Sequence, residues 1–286
     1  MKRTFMAALM ASAALAACAA EEEAPAETVA QETEAAPEAA AAEASPLDAA
    51  VANPARSAEN VARDVHRHPA ETLDFFGLQP GMTVVEINPG GGAYYAEILA
   101  KYANDTGGTY IGTGTKPDRI ADATMYGDPT FVEFGMDSGP LVEPGTADMV
   151  LTFRNVHNWY WQEGMLDKAM SDFAAALKPG GTLGVTDHRA DPRAEIEVGG
   201  RMAGDAYIAK ASIVDAAERA GLVLDGESEI NANPADTKDH PFGVWTLPPF
   251  ARTSAFGEDP DPEFDRTKYD AIGESDRHTL RFKKPA

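Results

Sequence analysis

The stretch "TVVEINPGGGAYYAEIL", Thr83 to Leu99, constrains this chain more than any other. Its near-continuous apolar run, Thr83 to Ile87, suits a strand buried on both faces of a parallel sheet. A glycine-rich turn follows, and then a segment of helical spacing from Ala93 to Tyr102. Gly90, Gly91 and Gly92 remove side chains where backbone must come close to a ligand. The helix that follows offers its N-terminal N–H groups and the positive end of its dipole. Such a unit cradles a ligand, and the flanking residues restrict which one. A dinucleotide fingerprint wants G-x-G-x-x-G, but the sixth position counted from Gly90 is Tyr95. It also wants an acid about twenty residues further on, where this chain reads "GTGTKPD" with Thr113 and Thr115. NAD is therefore disfavoured. No Gly-Lys-Ser/Thr follows the glycines, so the phosphate-loop signature fails as well. Asn88 stands where such turns often have glycine. Either it tolerates the backbone that a glycine would supply, or the turn has drifted from its ancestral ligand.

The surrounding pattern alternates strands with helices. Ser57 is an N-cap candidate, and Pro69 divides two helices ahead of the first strand. Further strands are expected in "GTYIGTG", "TFVEFGMD", "ADMVLTFRNV", "GGTLGVTDH" and "LVLDGESEI". Helices are expected over 117–125, 163–177 and 207–220, and "RHTLRFKK" alternates like an antiparallel edge strand. This order implies an α/β fold: a doubly wound, mostly parallel Rossmann-like sheet with flanking helices and one antiparallel strand at an edge. Ligands of such sheets sit outside the carboxyl ends of the strands. That rule selects Glu86, Asn88, Thr113, Asp137, Arg154, Asn155, His157, Asp187 and His188.

The ends of the chain have another character. "MKRTFMAALMASAALAACAA" has a basic start and a short apolar run, and closes on "LAAC". This resembles the lipobox of bacterial lipoproteins, whose cysteine is lipidated, and Cys18 is the one cysteine in the sequence. Residues 19–53, rich in Ala, Glu and Pro, read as a disordered tether, because they hold too little apolar surface to offset their ordering entropy. The expected organisation is a signal peptide over 1–18, that tether, and one α/β domain over 54–286. It describes a lipoprotein on the periplasmic side of the cell envelope, held to the membrane through Cys18. The net charge of −22 leaves no excess of Lys and Arg to displace counterions from phosphates, so nucleic acid is not expected as a partner.

Taken together, "EINPGGG", "MDSGPL", "RNVHNWY" and "LKPGGTLGVTDH" resemble the class I S-adenosylmethionine-dependent methyltransferases. "PAETLDFFGLQPGMTVVEINPGGG" is similar to a bacterial group of predicted methyltransferases that often carry a proline before these glycines. The resemblance implies S-adenosylmethionine as cofactor. It implies that Gly90, Gly91 and Gly92 pass beside the methionine portion, and that Glu86 orients the turn from beneath. Asp137 would accept from the adenine amino group and Met136 pack on the ring. The acid that usually grips the ribose is missing, and Thr113 is a weak substitute. Tyr94, Trp159 and Tyr160 are candidates for an aromatic wall against a sulfonium. His157, beside Arg154 and Asn155, is the candidate general base for a small-molecule acceptor. Arg63 and Arg67 either bind an anionic acceptor or form surface ion pairs. His157, Asp187, His188, His66 and His68 raise the question of a metal, but no spacing such as H-E-x-x-H supports one and none is expected. The alternative function is an exported, membrane-tethered ligand-binding protein that keeps the fold without catalysis. An exported hydrolase using Asp187 and His188 lacks the G-x-S-x-G elbow.

Overall fold

Period-two alternation in buried strands sends neighbouring side chains to opposite faces of a sheet, and here both faces are covered. The computed structural model describes residues 44–190 and 205–286. In chain order the elements are α1 (Pro46–Val51), α2 (Ala58–Val61), α3 (Asp64–Arg67), α4 (Pro69–Phe76), β1 (Thr83–Ile87), α5 (Tyr94–Thr106) and β2 (Thr109–Thr113). Next come α6 (Ala123–Tyr126), β3 (Thr130–Val132), β4 (Ala147–Phe153), α7 (Val156–Tyr160), α8 (Met165–Ala176) and β5 (Leu177–His188). The chain closes with α9 (Lys210–Arg219), β6 (Val223–Ser228), α10 (Thr267–Ile272) and β7 (Arg277–Lys283). Among the described residues no helix is long and apolar enough to cross a membrane.

The seven strands lie in the order β3-β2-β1-β4-β5-β7-β6. The doubly wound, mostly parallel sheet expected from the sequence is present. Its antiparallel part is the β5-β7-β6 edge: β7 runs against both neighbours, pairing Asp187 with His278 and Leu224 with Phe282. The antiparallel strand thus lies one place in from the rim, and β6 is outermost. Val85 and Ile87 of β1 face a core with Met170 and Phe173 of α8, whereas Val84 faces Leu73 and Phe76 of α4 and Ile98 of α5. Phe76, Phe173 and Phe282 are fully buried, and each contributes about 2–3 kcal/mol by leaving water. Gly184 makes the α4 packing possible. A Cβ there would lie 2.6 Å from Leu151 Cδ2 and 2.7 Å from Phe76 Cγ, so only glycine lets the Phe76 ring rest on the sheet.

Three boundaries differ from the sequence reading. Helix α1 lies inside the stretch expected as tether. Ser45 and Asp48 form a reciprocal capping box and Ala50 is fully buried, so the folded unit begins near residue 43 rather than 54. Strand β3 stops at Val132 rather than continuing to Asp137, because its partner β2 ends at Thr113 and offers no further backbone to pair. Residues 207–209, expected as helix, extend instead. Ile208 N–H donates to the His188 carbonyl and its carbonyl accepts from Ala190, which delays α9 to Lys210. The expectations for 1–18, for Cys18 and for the tether up to residue 43 lie outside the described residues.

Candidate functional site

The glycine turn joins the end of β1 to α5 through three left-handed residues: Asn88 (φ 48°), Gly90 (φ 70°) and Ala93 (φ 51°). Asn88 adopts the backbone that a glycine would supply, and its side chain adds a clamp. Its N–H donates to Thr113 Oγ1 at 2.8 Å, and that hydroxyl lies 3.2 Å from Asn88 Oδ1. From β4's side, Asn155 Nδ2 donates to the Ile87 carbonyl at 2.8 Å. The turn is braced by both neighbouring strands. A Cβ on Gly90, Gly91 or Gly92 would meet nothing within 4 Å, so the glycines face open space. That space is a cleft of ≈ 570 Å³ lined by Asn88, Gly90, Gly91, Thr113, Gly114 and Asp118.

This geometry reassigns several residues. Thr113, expected as a weak ribose contact, engages its hydroxyl with Asn88 and holds the turn. Asn155, expected beside the base, is a brace of the same turn. Tyr94 is buried, its hydroxyl 2.5 Å from Asp64 Oδ1 and its ring facing the Arg67 guanidinium at 4.6 Å, so it does not wall the cleft. Trp159 fills a gap between Phe134 and Phe173, at 5.3 and 5.7 Å between ring centres. Met136 and Asp137 lie exposed on the loop after β3. Glu86 is buried beneath the turn, where it accepts from Tyr110 at 2.6 Å. Burial pushes its carboxyl up to about 8 against the opposing Tyr110 hydrogen bond, so at neutral pH it is mostly a neutral acid.

His157, at the start of α7, sits over the end of β5. Its backbone N–H donates to Asp187 Oδ2 at 3.0 Å and its Nδ1 lies 2.7 Å from Asp187 Oδ1. Asp187 is fully buried and also accepts from the His188 N–H at 2.7 Å. A ring that gives its Nδ1 proton to this carboxylate presents Nε2 as the working nitrogen. Trp161 and Trp245 flank the ring, with centres at 5.9 and 6.4 Å. His188 Nδ1 lies 2.5 Å from Ser275 Oγ, and its Nε2 is approached by Arg154 Nε at 3.3 Å. Burial and then the Arg154 charge push the His188 imidazole well below its ordinary range, so it is a neutral spacer.

His157, Asp187 and His188 bring possible metal-ligating atoms within 4.8 Å of one another, whereas His66 and His68 line a different pocket. Each of these donors except His157 Nε2 already has a protein partner, and the Arg154 charge stands beside the set. The arrangement is that of a hydrogen-bonded base, not of a cation cage.

Arg154 has a left-handed backbone (φ 62°), held by its N–H on the Thr186 carbonyl at 2.7 Å. Burial, then repulsion from Arg67, lowers its guanidinium to about 9. Arg63 and Arg67 do not form surface pairs. Both donate through Nε to Glu274, at 2.7 and 2.8 Å, and Arg277 Nη1 joins them at 2.8 Å. Glu274, Ser275 and Arg277 were not selected from the sequence as site residues, and they reach the site because β7 pairs with β5. Asp187 was legible as a strand end, but not as the partner of His157.

No protein-family model matches the chain, and no curated protein does. Among solved structures it is similar to a TehB-like SAM-dependent methyltransferase from Corynebacterium glutamicum, at 15% identity over 75% of this chain and 85% of that one, with a TM-score of 0.44. It is also similar to a geranyl diphosphate methyltransferase in complex with SAM, at 14% identity over 82% and 94% of the two chains, TM-score 0.48. A third is the [4+2]-cyclase SpnF, at 16% identity over 77% and 82%, TM-score 0.48. The likeness concerns the fold alone. Function rests on the site.

Proposed function

We propose that this chain is an S-adenosylmethionine-dependent methyltransferase acting on a small-molecule acceptor, exported and held to the membrane through Cys18. The observation that carries the reading is an open glycine turn after β1, one strand away from an Asp-oriented histidine at the ends of β4 and β5. The residues present fit the cofactor in one decisive respect: the space a Cβ would take at Gly90 and Gly91 is empty and opens on the cleft. Asn88, the three glycines and the 113–118 segment would hold S-adenosylmethionine, which supplies an electrophilic methyl group when bound. Asp118, in the same cleft, is the carboxylate nearest to the role that Thr113 leaves open.

The protein's own part is positioning and proton handling. Asp187 fixes the His157 ring through Nδ1, so Nε2 faces outward to take a proton from the acceptor. Trp161 and Trp245 flank the ring, their centres 5.9 and 6.4 Å away. Arg154 stands beside it as a positive charge.

Isothermal titration of the full chain with S-adenosylmethionine and S-adenosylhomocysteine tests the reading. Binding is expected, and Gly91→Asp, at a glycine that lines the cleft and whose added Cβ meets nothing within 4 Å, is expected to weaken it more than tenfold while leaving the melting temperature unchanged. No heat at millimolar ligand from folded protein overturns the proposal. Metabolic labelling with a radioactive fatty acid, lost in Cys18→Ser, tests the anchor. A ligand-binding protein without turnover is the second reading, and the observation favouring it is the threonine that ends β2 with its hydroxyl already engaged. Binding of the cofactor without methylation of any acceptor from the native envelope would support it.

A further inference from the structure

The chain carries a net charge of −22, yet beside the candidate base its cations outnumber its anions. Glu274 is 3% exposed and accepts from Arg63, Arg67 and Arg277 together. Ser275 links this cluster to His188, and His188 Nε2 accepts from Arg154. Four guanidiniums therefore gather around one carboxylate. Among the described residues no other carboxylate lies within salt-bridge reach of any of the four. Arg67 Nη2 and Arg277 Nε are buried without an acceptor among the described residues.

Three of the four have other compensation. Arg67 lies over the Tyr94 ring at 4.6 Å, Arg63 over the same ring at 5.5 Å, and Arg277 also donates to the His66 carbonyl. Arg154 has none. Its Nε points to a neutral imidazole, its face lies 5.6 Å from the Phe250 ring, and its two terminal nitrogens have no protein acceptor among the described residues. A guanidinium with a free fork matches an oxyanion through two parallel hydrogen bonds. The low dielectric of the site strengthens that attraction, and the three arginines behind it add to it.

Resting on the methyltransferase reading, we infer that Arg154, backed by the Arg63–Arg67–Arg277 cluster, is an acceptor subsite for a compact oxyanion, a carboxylate or a phosphate. The His188 ring, on which Arg154 rests, is centred 5.0 Å from the His157 ring. An acceptor anchored by its anionic group at Arg154 therefore brings a neighbouring nucleophilic atom to His157 Nε2. The substrate class is then a small anionic metabolite, not a neutral lipid or an amine. The net charge of −22 disfavours anions over the chain as a whole, so a local cluster of cations is needed to draw one in.

Titration calorimetry with inorganic phosphate and with malonate, at ionic strength held constant with sodium chloride, tests the subsite on the full chain. One-site binding of either probe is expected. It should weaken at least tenfold in Arg154→Gln, less in Arg154→Lys, and not at all in Arg281→Gln, which removes an exposed pair between β7 and Asp225 of β6. Unchanged binding in folded Arg154→Gln, or no binding of either probe to the native chain, overturns the inference. S-adenosylhomocysteine titrated into the same variants separates the two claims. Its retention by Arg154→Gln, with the oxyanion lost, assigns the defect to the acceptor side. Its failure to bind the native chain refutes the methyltransferase reading, and the oxyanion result is then read without it.

Discussion

Replacing Glu86 by Gln should stabilise the protein at alkaline pH and do little in mild acid. The carboxyl is 2% exposed and shares one hydrogen bond with Tyr110, so the folded state strongly prefers the neutral form. Its folded value, about 8, stands against an ordinary value of 4.5. The unfolded chain releases this proton first as pH rises, so the stability contributed by the protonated acid is fully present below 4.5 and is lost through 8. At ~1.36 kcal/mol per pH unit for a whole proton, the loss between pH 5 and pH 8 is roughly 3 kcal/mol. Glutamine keeps the shape and an oxygen that can accept from Tyr110, and has no proton to release. Urea unfolding of both proteins at pH 5 and pH 8 yields the double difference, in which the other titrating groups cancel. Glu86→Gln should gain about 2–4 kcal/mol over the native chain between the two conditions. A double difference below about 0.5 kcal/mol, the scatter of ordinary surface changes, would refute a buried neutral acid at this position.

Two other perturbations address the base and the arginine cluster. Asp187→Asn preserves shape but sets an amide where two N–H groups and Nδ1 of His157 now find a carboxylate. Under the proposed function, methyl transfer should fall by about 10²–10⁴ in kcat, with S-adenosylhomocysteine affinity unchanged in calorimetry; a parallel loss of affinity would mean a merely structural role. Glu274→Gln leaves three guanidiniums, two of them buried, without their shared anion and should cost about 3–5 kcal/mol of stability at pH 7, read by urea unfolding. Burial opposes ionisation of Glu274, but Arg67 and Arg277, then Arg154 and Arg63, outweigh it and hold the carboxyl far below its ordinary 4.5. Its contribution is therefore present above 4.5 and lost as pH falls, so the native chain should lose stability between pH 5 and 3 more steeply than the variant.

The local devices of the fold were legible along the chain because each is written within a few residues. The apolar run of β1, the glycines after it, the Ser57 cap and the proline that opens α4 appear in the sequence where they appear in the structure. Asn88 was legible as an anomaly, and its left-handed backbone resolves the question in favour of an accommodated residue. The capping box that starts α1 was equally local, but its Ala-rich surroundings obscured it, and only the packing of Ala50 marks it as folded.

The sequence by itself determined the alternation of strand and helix, and hence the sheet ends where a ligand can sit. It also determined that His157 and Asp187 stand at two of those ends. The tertiary structure decided which polar groups meet. Asp187 orients His157 because β4 and β5 are neighbours, although the two residues are separated by a whole helix. Glu274 and Arg277 reach Arg63 and Arg67 because β7 inserts antiparallel between β5 and β6 and carries the last part of the chain back over the first. Thr113 was expected at the ribose, Asn155 beside the base and Tyr94 in an aromatic wall, and the structure gives each of them a partner elsewhere in the chain. Hydrogen bonding and charge compensation act through space over a few ångströms, whereas sequence records only separation along the chain. A residue's place at a strand end can therefore be read before folding, and its partner cannot.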